Sequence, residues 1–361
     1  MAPVFLYSIP KPGINQSAAF YQGLILPVYA CEESSKIHEE KHTGDMMIKD
    51  WALSKKLSEI PQYLQHMNGR VKGEVRELGR LSALLDIMNN ERLDTFFQPI
   101  LQLYSGQTIG HEVLNRPPSS SQFPTTEHFY EFAGRTDQMF RFEQYCRRMS
   151  LSRYVEKLPE TYSGSGGLVF INVHPGVLND ARHKSGETLG LLQSLGLQPE
   201  RVVFELTERQ AVQDYVGFEK VLSHYRSQGF RIAVDDAGSG YNSLKTLVYL
   251  KPEFIKLDKS LIRGIHSSRE QQELLELVRE YADRSATKVI AEGIETAEEL
   301  LFLQQAGIEF GQGYALGRPL QLPVHGAFPA GYNHIPELGG YRYVSSDRRN
   351  RRADSGDFLS S

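Results

Sequence analysis

The chain has 361 residues, of which 40% are hydrophobic and 23% are charged, and its formal net charge is −4. These values are typical of a soluble globular chain with a hydrophobic core, and the length allows one large domain with accessory segments or two ordinary domains. The charge balance does not favour a nucleic-acid polymer or an anionic membrane as a partner, and no apolar run is long enough to span a membrane. Two cysteines, Cys31 and Cys146, exclude a disulfide scaffold. Because the chain also lacks a basic segment at its start, we expect a cytoplasmic location.

The first 90 residues predict an accessory segment that contains one helix. Between residues 70 and 89, apolar residues recur at steps of three and four with charged residues between them, which is typical of an amphipathic helix. The apolar stripe consists of Val71, Val75, Leu78, Leu81, Leu85 and Met88. We expect this stripe to be buried, either against the domain that follows or against a second copy of the chain.

After residue 90, short β-rich runs alternate with longer helix-like segments. The predicted strands are Phe96–Leu103, Ile109–Leu114, Leu168–Val173, Val202–Leu206, Arg231–Val234, Phe254–Leu257, Lys288–Ala291 and a short run near Glu309-Phe310. The predicted helices include Gln138–Lys157, Val212–Gln228, Glu270–Arg284 and Ala297–Ala306. A tight turn at residues 104–107 predicts an antiparallel first strand pair, and the later alternation predicts parallel strands with crossover helices.

This pattern favours an α/β fold, a modified (β/α)8 TIM-like barrel preceded by a helical N-terminal segment. About eight strands in roughly 230 residues suit a closed barrel better than an open sheet. The glycine fingerprint of dinucleotide-binding folds and the Walker A loop are both absent from the sequence. We therefore predict an accessory segment at 1–90, a barrel at 91–323 and a tail at 324–361. The tail is rich in Arg, Gly and Ser, so we expect it to be disordered, with a docking segment for an acidic partner as the alternative.

Charged and amide residues recur on the second predicted strand and at the ends of the later ones. They are Glu112, Asn172, Glu205, Glu208, Asp235, Asp236, Lys256, Asp258, Glu292 and Glu295. In a parallel barrel all strands end at one rim, where such folds carry their active sites. A helix cap or a surface salt bridge explains any one of these residues, but not so many strand ends together. The sequence therefore predicts that they converge on one site.

Acidic groups that converge in this way require cations. Their mutual repulsion and their burial raise their pKa values, and a bound metal relieves both effects. Oxygen donors with a single amide favour Mg²⁺ or Mn²⁺ over zinc. The adjacent pair Asp235 and Asp236 suits two ions, and two ions about 3.5–4 Å apart are a common device for displacement at phosphorus. Lys256 could add a fixed positive charge at the phosphate.

In their order along the chain, these motifs resemble the EAL-domain family of cyclic di-GMP phosphodiesterases from about Thr95 to Pro319. The matching segments are Phe97-Gln98-Pro99-Ile100, Glu112-Val113-Leu114 with Arg116, Asn172, Glu205-Leu206-Thr207-Glu208, Asp235-Asp236, Lys256-Leu257-Asp258, Glu292-Gly293-Ile294-Glu295 and Gln312-Gly313-Tyr314. The resemblance implies that one phosphodiester of cyclic di-GMP is hydrolysed to linear pGpG. It also implies a homodimer.

The resemblance further implies roles for individual residues. The implied metal ligands, for two ions of Mg²⁺ or Mn²⁺ per site, are Glu112, Asn172, Glu205, Asp235, Asp236 and Glu292. The implied catalytic residues are Glu292, Lys256, Gln312 and Glu208. Glu292 is either a ligand or a general base, Lys256 lies at the attacking water, and Glu208 anchors the loop Asp236–Leu244. The implied substrate-binding residues are Gln98, Leu114, Arg116 and Asp258.

Two residues depart from the family pattern. Val113 replaces a small Ala and adds bulk next to a proposed ligand, and Ala237 replaces a Phe in the loop after the aspartate pair. A buried Phe contributes about 2–3 kcal/mol, enough to shift a loop equilibrium. Because the ligand set is complete, we expect an active enzyme. A catalytically weak or inactive domain, acting as a cyclic di-GMP receptor or a protein-interaction module, is the alternative.

Two other readings have less support. A barrel glycosidase with two carboxylates would not explain Asn172, Lys256 and Gln312. Residues 38–42 spell the HExxH pattern of zinc proteases, but their neighbours are polar or charged, which does not favour a zinc site on a packed helix.

Overall fold

The structure is a computed structural model of the chain, and it describes residues 66, 69–159, 167–174, 186–207, 215–238 and 243–332. The chain divides into a unit of residues 1–71 and a unit of residues 72–361. The fold below is that of the second unit, together with residues 69–71, which begin the first helix. Several predictions fall outside the described residues: the HExxH segment, Cys31, Glu208, most of the loop between Asp236 and Leu244, and the tail after residue 332.

Within the described residues, eight strands close into a barrel in which each strand pairs with the next along the chain and the last pairs with the first. The strands are β1 (Asp94–Gln102), β2 (Thr108–Arg116), β3 (Leu168–Asn172), β4 (Val202–Thr207), β5 (Arg231–Ala237), β6 (Phe254–Leu257), β7 (Lys288–Ala291) and β8 (Phe310–Gly311). Strand β1 is antiparallel to both of its neighbours, and the remaining neighbours are parallel. The predicted barrel with an antiparallel first pair is therefore confirmed.

The helices lie between the strands and before the first one. They are α1 (69–89), α2 (Thr126–Arg135), α3 (Met139–Lys157), α4 (Glu187–Leu195), α5 (Tyr215–Ser227), α6 (Ser243–Leu250), α7 (Lys259–Ile262), α8 (Arg269–Ser285) and α9 (Ala297–Gln305). Local capping fixes where some of them begin. Helix α9 starts at a capping box formed by Thr296 and Glu299, and Ser268 caps α8. No described helix is long and apolar enough to cross a membrane.

Hydrophobic residues occupy two layers because side chains alternate between the faces of a strand. One layer lies outside the strands, under the helices, and contains Val113, Phe204 and Ala237. The other layer belongs to the inner face of the barrel. Its buried members are Ile100, Phe170, Val203, Ala233, Phe254, Ile290 and Phe310. This inner layer fills the barrel below the rim and leaves the positions nearer the strand ends to polar residues.

The prediction of helix α1 is confirmed, but the predicted burial of its stripe is wrong for the first half. Val71, Val75 and Leu78 are exposed by 53%, 64% and 66%. In the second half of the stripe Leu81 and Leu85 are half-buried and Met88 is buried, as predicted, and their neighbours Leu84 and Ile87 are buried as well. The buried residues join an aromatic cluster with members of α2 and α3. The helix therefore packs on the domain that follows only through its second half.

Candidate active site

Six residues of the predicted site each lie two positions beyond a residue of the inner layer. On β4 Glu205 follows Val203, and on β6 Lys256 follows Phe254. The same spacing joins the remaining pairs, which are Phe170 and Asn172, Ala233 and Asp235, Ile290 and Glu292, and Phe310 and Gln312. Because the side-chain period of a strand is two, the hydrophobic inner layer places all of these polar groups on the same face, one level nearer the rim.

Lys256 lies at the centre of the site and is only 1% exposed. Its Nζ atom contacts four carboxylates from four different strands or strand ends. The distances are 2.7 Å to Glu205, 2.7 Å to Glu292, 3.2 Å to Asp235 and 3.4 Å to Glu112. A single ammonium group therefore offsets the repulsion among four acidic groups, a role that sequence position alone did not indicate.

Burial dominates the protonation of this cluster. It raises the pKa of Glu205 well above its ordinary value, and the Lys256 ammonium opposes that rise only in part. Burial likewise raises the pKa of Glu292 to about 8, again against the effect of Lys256. Burial alone would lower the pKa of Lys256, but the surrounding carboxylates, Asp235 and Glu112 foremost, raise it well above its ordinary value. Lys256 therefore stays charged, whereas burial makes Glu205 and Glu292 easier to protonate than exposed glutamates.

Amide side chains orient individual carboxylates. The Nε2 group of Gln312 donates a hydrogen bond of 2.7 Å to Oε2 of Glu112, and both residues are buried. The Nδ2 group of Asn172 donates to Oε2 of Glu205 at 3.3 Å. These bonds hold each carboxylate in one orientation while leaving its remaining lone pairs available to other ligands.

Asp235, Asp236 and Glu292 fit a divalent cation. One oxygen atom from each can be chosen so that the three lie within 4.8 Å of one another. Asp236 has a positive φ of 57°, and the pairing of β5 with β6 shifts register between Val234 and Ala237. This irregularity turns both Asp235 and Asp236 toward the site. In a regular strand, two consecutive side chains would point to opposite faces. Carboxylate oxygens at this spacing suit Mg²⁺, Mn²⁺ or Ca²⁺.

The site opens into a cleft of about 330 Å³ at the rim. Most of the predicted residues line it, including Gln98, Leu114 and Asp258. Gln98 is buried and donates to the backbone oxygen of Gly317 at 3.1 Å. Asp258 also caps helix α7 by accepting a hydrogen bond of 2.9 Å from the backbone of Ser260. The cleft therefore combines a buried acidic end with a more exposed polar wall.

Six other residues line the cleft; the sequence predicted that Glu295 lies at the site but gave none of the six an individual role. They are Lys259, Arg263, Gly293, Glu295, Gly313 and Tyr314. Arg263 and Glu295 form an ion pair across the rim. The position of Glu295 at a predicted strand end was visible in the sequence, whereas Lys259 and Arg263 lie on or just after a four-residue helix that no periodic pattern indicated.

Other predicted residues lie apart from the cleft or outside the described chain. Arg116 is exposed at the end of β2, and its guanidinium stacks over the ring of Phe96 at 5.2 Å. Asn172 and Glu205 do not line the cleft: Glu205 is fully buried, and Asn172 is exposed at the end of β3, where it contacts Glu205. Glu208 lies outside the described residues.

The structure shows the surroundings of the two residues that depart from the family pattern. Val113 is 3% exposed and belongs to the outer hydrophobic layer, so its side chain points away from the face that carries Glu112. The expectation that Val113 adds bulk next to a ligand is therefore wrong. Ala237 is also buried in the outer layer, at the end of β5.

Comparisons with known proteins agree with this geometry. The sequence model of the EAL domain matches residues 81–319, two thirds of the chain, so the chain belongs to the EAL domain family. The cyclic di-GMP phosphodiesterase RocR from Pseudomonas aeruginosa is 28% identical over 251 residues, which cover 68% of this chain and 62% of RocR. The chain thus spans less than two thirds of the length of that relative.

Two solved structures are similar in fold. A standalone EAL protein from Vibrio cholerae, solved with cyclic di-GMP, superposes with a TM-score of 0.57 at 26% identity, over 65% of this chain and 95% of that one. BlrP1 from Klebsiella pneumoniae, solved with manganese and cyclic di-GMP, has a TM-score of 0.56 at 28% identity, over 65% of this chain and 58% of BlrP1.

Proposed function

We propose that the barrel is a metal-dependent phosphodiesterase that hydrolyses one phosphodiester of cyclic di-GMP to linear pGpG. The observation that carries the proposal is the convergence of four carboxylates on buried Lys256 at the rim of the barrel. Membership of the EAL domain family supports this substrate, because curated relatives are named cyclic di-GMP phosphodiesterases.

The proposed metal ligands share oxygen donors that face one end of the barrel. They are Glu112, Asn172, Glu205, Asp235, Asp236 and Glu292. Two ions of Mg²⁺ or Mn²⁺, when bound there, would activate water and neutralise charge that develops at the phosphate. The solved manganese complex of BlrP1 supports the choice of metal.

The chain's own residues position the substrate and move the proton. Gln98 and Leu114 line the cleft beside the acidic end and would contact the nucleotide, together with Asp258. Arg116 would reach a phosphate only after leaving its stacked position on Phe96. Lys256 would donate to the attacked phosphate or to the nucleophilic water, and Gln312 would hold Glu112 in place. The proposed role of Glu208 as the anchor of the loop after β5 stays a prediction.

The two candidate roles of Glu292 can be separated. A general base needs a pKa near the working pH, and burial raises that of Glu292 to about 8. In the variant Glu292→Gln, a base role predicts lost turnover with Mn²⁺ binding retained. A ligand role predicts that both are lost together, as measured by calorimetry with Mn²⁺ and by product formation.

The main test is turnover of cyclic di-GMP by the full chain with Mn²⁺ or Mg²⁺, followed by chromatography of pGpG. We expect turnover that EDTA abolishes and that Glu112→Gln reduces by at least about 100-fold. The matched control is Glu309→Gln, which removes the same charge from an exposed ion pair with Lys288 and should retain full activity. Turnover that resists EDTA would contradict the metal-dependent mechanism.

A receptor is the second candidate function, and the small residue at Ala237 favours it. In the family pattern a Phe occupies this position, and its loss removes an apolar anchor from the loop that begins there. Binding of cyclic di-GMP without turnover by the wild-type chain would support the receptor and refute the enzyme. Ala237→Phe should then restore turnover if the loop is the cause.

We also propose that the barrel comprises residues 91–323, with an accessory segment before it and a tail after it. We further propose that the chain forms a homodimer and is located in the cytoplasm. The exposed Val71, Val75 and Leu78 of α1 support a dimer, because apolar residues at this spacing form one face of a helix. Sedimentation of the wild-type chain as a monomer would contradict the dimer. The buried free thiol of Cys146 suits a reducing compartment.

A further inference from the structure

A second cavity, of about 410 Å³, lies on the outer side of the barrel between helices α3 and α4. Its lining residues come from α1, α3 and α4. They are Met88, Arg141, Gln144, Tyr145, Arg147, Arg148, Glu187, Thr188 and Leu191. We call this cavity the arginine pocket, because three of its nine lining residues are arginines. It shares no lining residue with the active-site cleft.

The arginine pocket carries more positive than negative charge. Arg141 donates to the neutral side-chain oxygen of Asn89 at 2.8 Å, so its charge is not neutralised by that partner. Arg148 pairs with Glu91 at 2.6 Å, in a pair whose side chains are both about half exposed. Glu187 is the acidic residue among the lining residues, and it accepts a hydrogen bond from Gln144. An anion in the pocket would reduce the repulsion among the guanidinium groups.

Arg147 forms the inner wall of the pocket and is only 6% exposed. Its Nη1 atom donates to the hydroxyl of Thr188 at 2.8 Å. Its Nε and Nη2 atoms are buried and make no well-aligned hydrogen bond in the described part of the chain, although the guanidinium also interacts with the neutral hydroxyl of Tyr225. Glu143 lies one turn earlier on α3, and burial raises its pKa to about 7, so it compensates the Arg147 charge incompletely near neutral pH. A buried guanidinium without a carboxylate contact is costly and favours a bound anion.

The remaining lining residues favour a ligand with an organic part. Met88, Tyr145 and Leu191 add apolar surface beside the arginines. The volume lies within the range of about 300–1,000 Å³ that is typical of small-molecule sites. Guanidinium groups bind phosphate through paired hydrogen bonds, and a doubly charged phosphate compensates two of them at once.

We propose that the arginine pocket binds a small phosphorylated metabolite, with its phosphate on the arginines and its organic part against Met88, Tyr145 and Leu191. The pocket also contacts the wall of the barrel. The Arg147 guanidinium stacks over the ring of Phe204 at 5.6 Å, and Phe204 immediately precedes Glu205 of the active site. Binding at the pocket does not depend on the proposed phosphodiesterase activity.

The test uses calorimetry of the full chain with adenosine monophosphate, and with adenosine as the ligand that lacks the phosphate. The double variant Arg141→Gln/Arg148→Gln, called the rim variant below, removes two exposed arginines at the outer edge of the arginine pocket. Because both side chains are exposed, the substitutions leave the fold intact. The matched control Arg269→Gln/Arg284→Gln removes two arginines of α8 whose side chains are 88% and 82% exposed. A third variant, Leu191→Trp, fills the cavity without changing its charge.

We expect the wild-type chain to bind adenosine monophosphate and not adenosine. The rim variant and Leu191→Trp should each weaken binding by at least about tenfold, while the α8 control should bind like the wild type. Hydrogen exchange of the bound chain should be slowed in α3 and α4. Absence of binding to the wild type, equal binding by the rim variant and the α8 control, or protection of the active-site strands alone would overturn the proposal.

Discussion

Replacing Lys256 by Met tests the electrostatic organisation of the site. The substitution keeps most of the side-chain volume and removes the one ammonium group that contacts Glu112, Glu205, Asp235 and Glu292 within 3.4 Å. Without it, four carboxylates remain at the rim with no cation among them. We expect the free energy of unfolding of the metal-free protein to fall, because buried charges that lose their partner are strongly destabilising.

The magnitude follows from the burial of the groups involved. Removing one partner of a buried ion pair costs about 3–5 kcal/mol. Here the loss is limited by proton uptake, because burial already raises the pKa values of Glu205 and Glu292. Protons are more available at low pH, so we expect a loss of about 3–4 kcal/mol at pH 8 and a smaller loss at pH 6. Saturating Mn²⁺ would replace the missing positive charge and recover about 2–3 kcal/mol.

Urea unfolding in EDTA and in Mn²⁺ measures these differences directly. Lys288→Met is the matched control, because Lys288 contacts Glu309 at 3.4 Å in an exposed pair on the neighbouring strand and its loss should cost less than about 1 kcal/mol. Equal losses for the two lysine variants would refute the reasoning. So would a Lys256→Met variant that Mn²⁺ fails to stabilise more than it stabilises the wild type.

Two further predictions concern stability and activity away from the site. Burial raises the pKa of Glu143 from 4.5 to about 7. Between pH 4.5 and pH 7 the folded chain therefore binds more protons than the unfolded chain. As a result, the contribution of Glu143 to the free energy of unfolding decreases as the pH rises through this range. Glu143→Gln should remove that decrease in the free energy of unfolding, which is worth about 2 kcal/mol or less. Urea unfolding from pH 5 to pH 8 measures it, and Glu131→Gln, at an exposed position of α2, should leave the decrease in place. Val113→Ala should lower the free energy of unfolding by about 1–3 kcal/mol and leave turnover of cyclic di-GMP unchanged, because its side chain lies in the outer layer.

Two results would count against these predictions. A pH dependence that is the same in Glu143→Gln and in the wild type would mean that Glu143 titrates as an exposed acid does. A faster turnover in Val113→Ala would mean that the bulk of this residue acts on the site after all.

The barrel and the convergence of the acidic residues could be predicted because both depend on a simple period. Each run of Val, Ile and Phe marks a buried strand, and the residue two positions beyond its inner member must face the same side. Glu205 and Glu292 were predicted from their positions near the ends of such runs, because parallel strands in a barrel all end at one rim. The antiparallel first pair followed from a short turn, which Gly106 closes with a positive φ of 72° and a hydrogen bond to Gln102.

Other features depend on three-dimensional context that a local pattern does not contain. Strand β5 continues through Asp235 and Asp236, which are poor strand formers, because pairing across the barrel outweighs their propensity. Helix α1 was predicted from one continuous stripe, but its second half buries Leu84 and Ile87 and its first half stays exposed. The reach of Lys256 to four carboxylates depends on the diameter of the barrel, which no spacing along the chain reveals.

The central claim is that this chain hydrolyses cyclic di-GMP by attack of water at phosphorus. The most direct test supplies cyclic di-GMP and Mn²⁺ to the EDTA-treated chain in ¹⁸O-labelled water and analyses the products by mass spectrometry. The account predicts linear pGpG that carries one ¹⁸O atom on its terminal phosphate. Recovery of unchanged cyclic di-GMP, or of a product without the label, would contradict it.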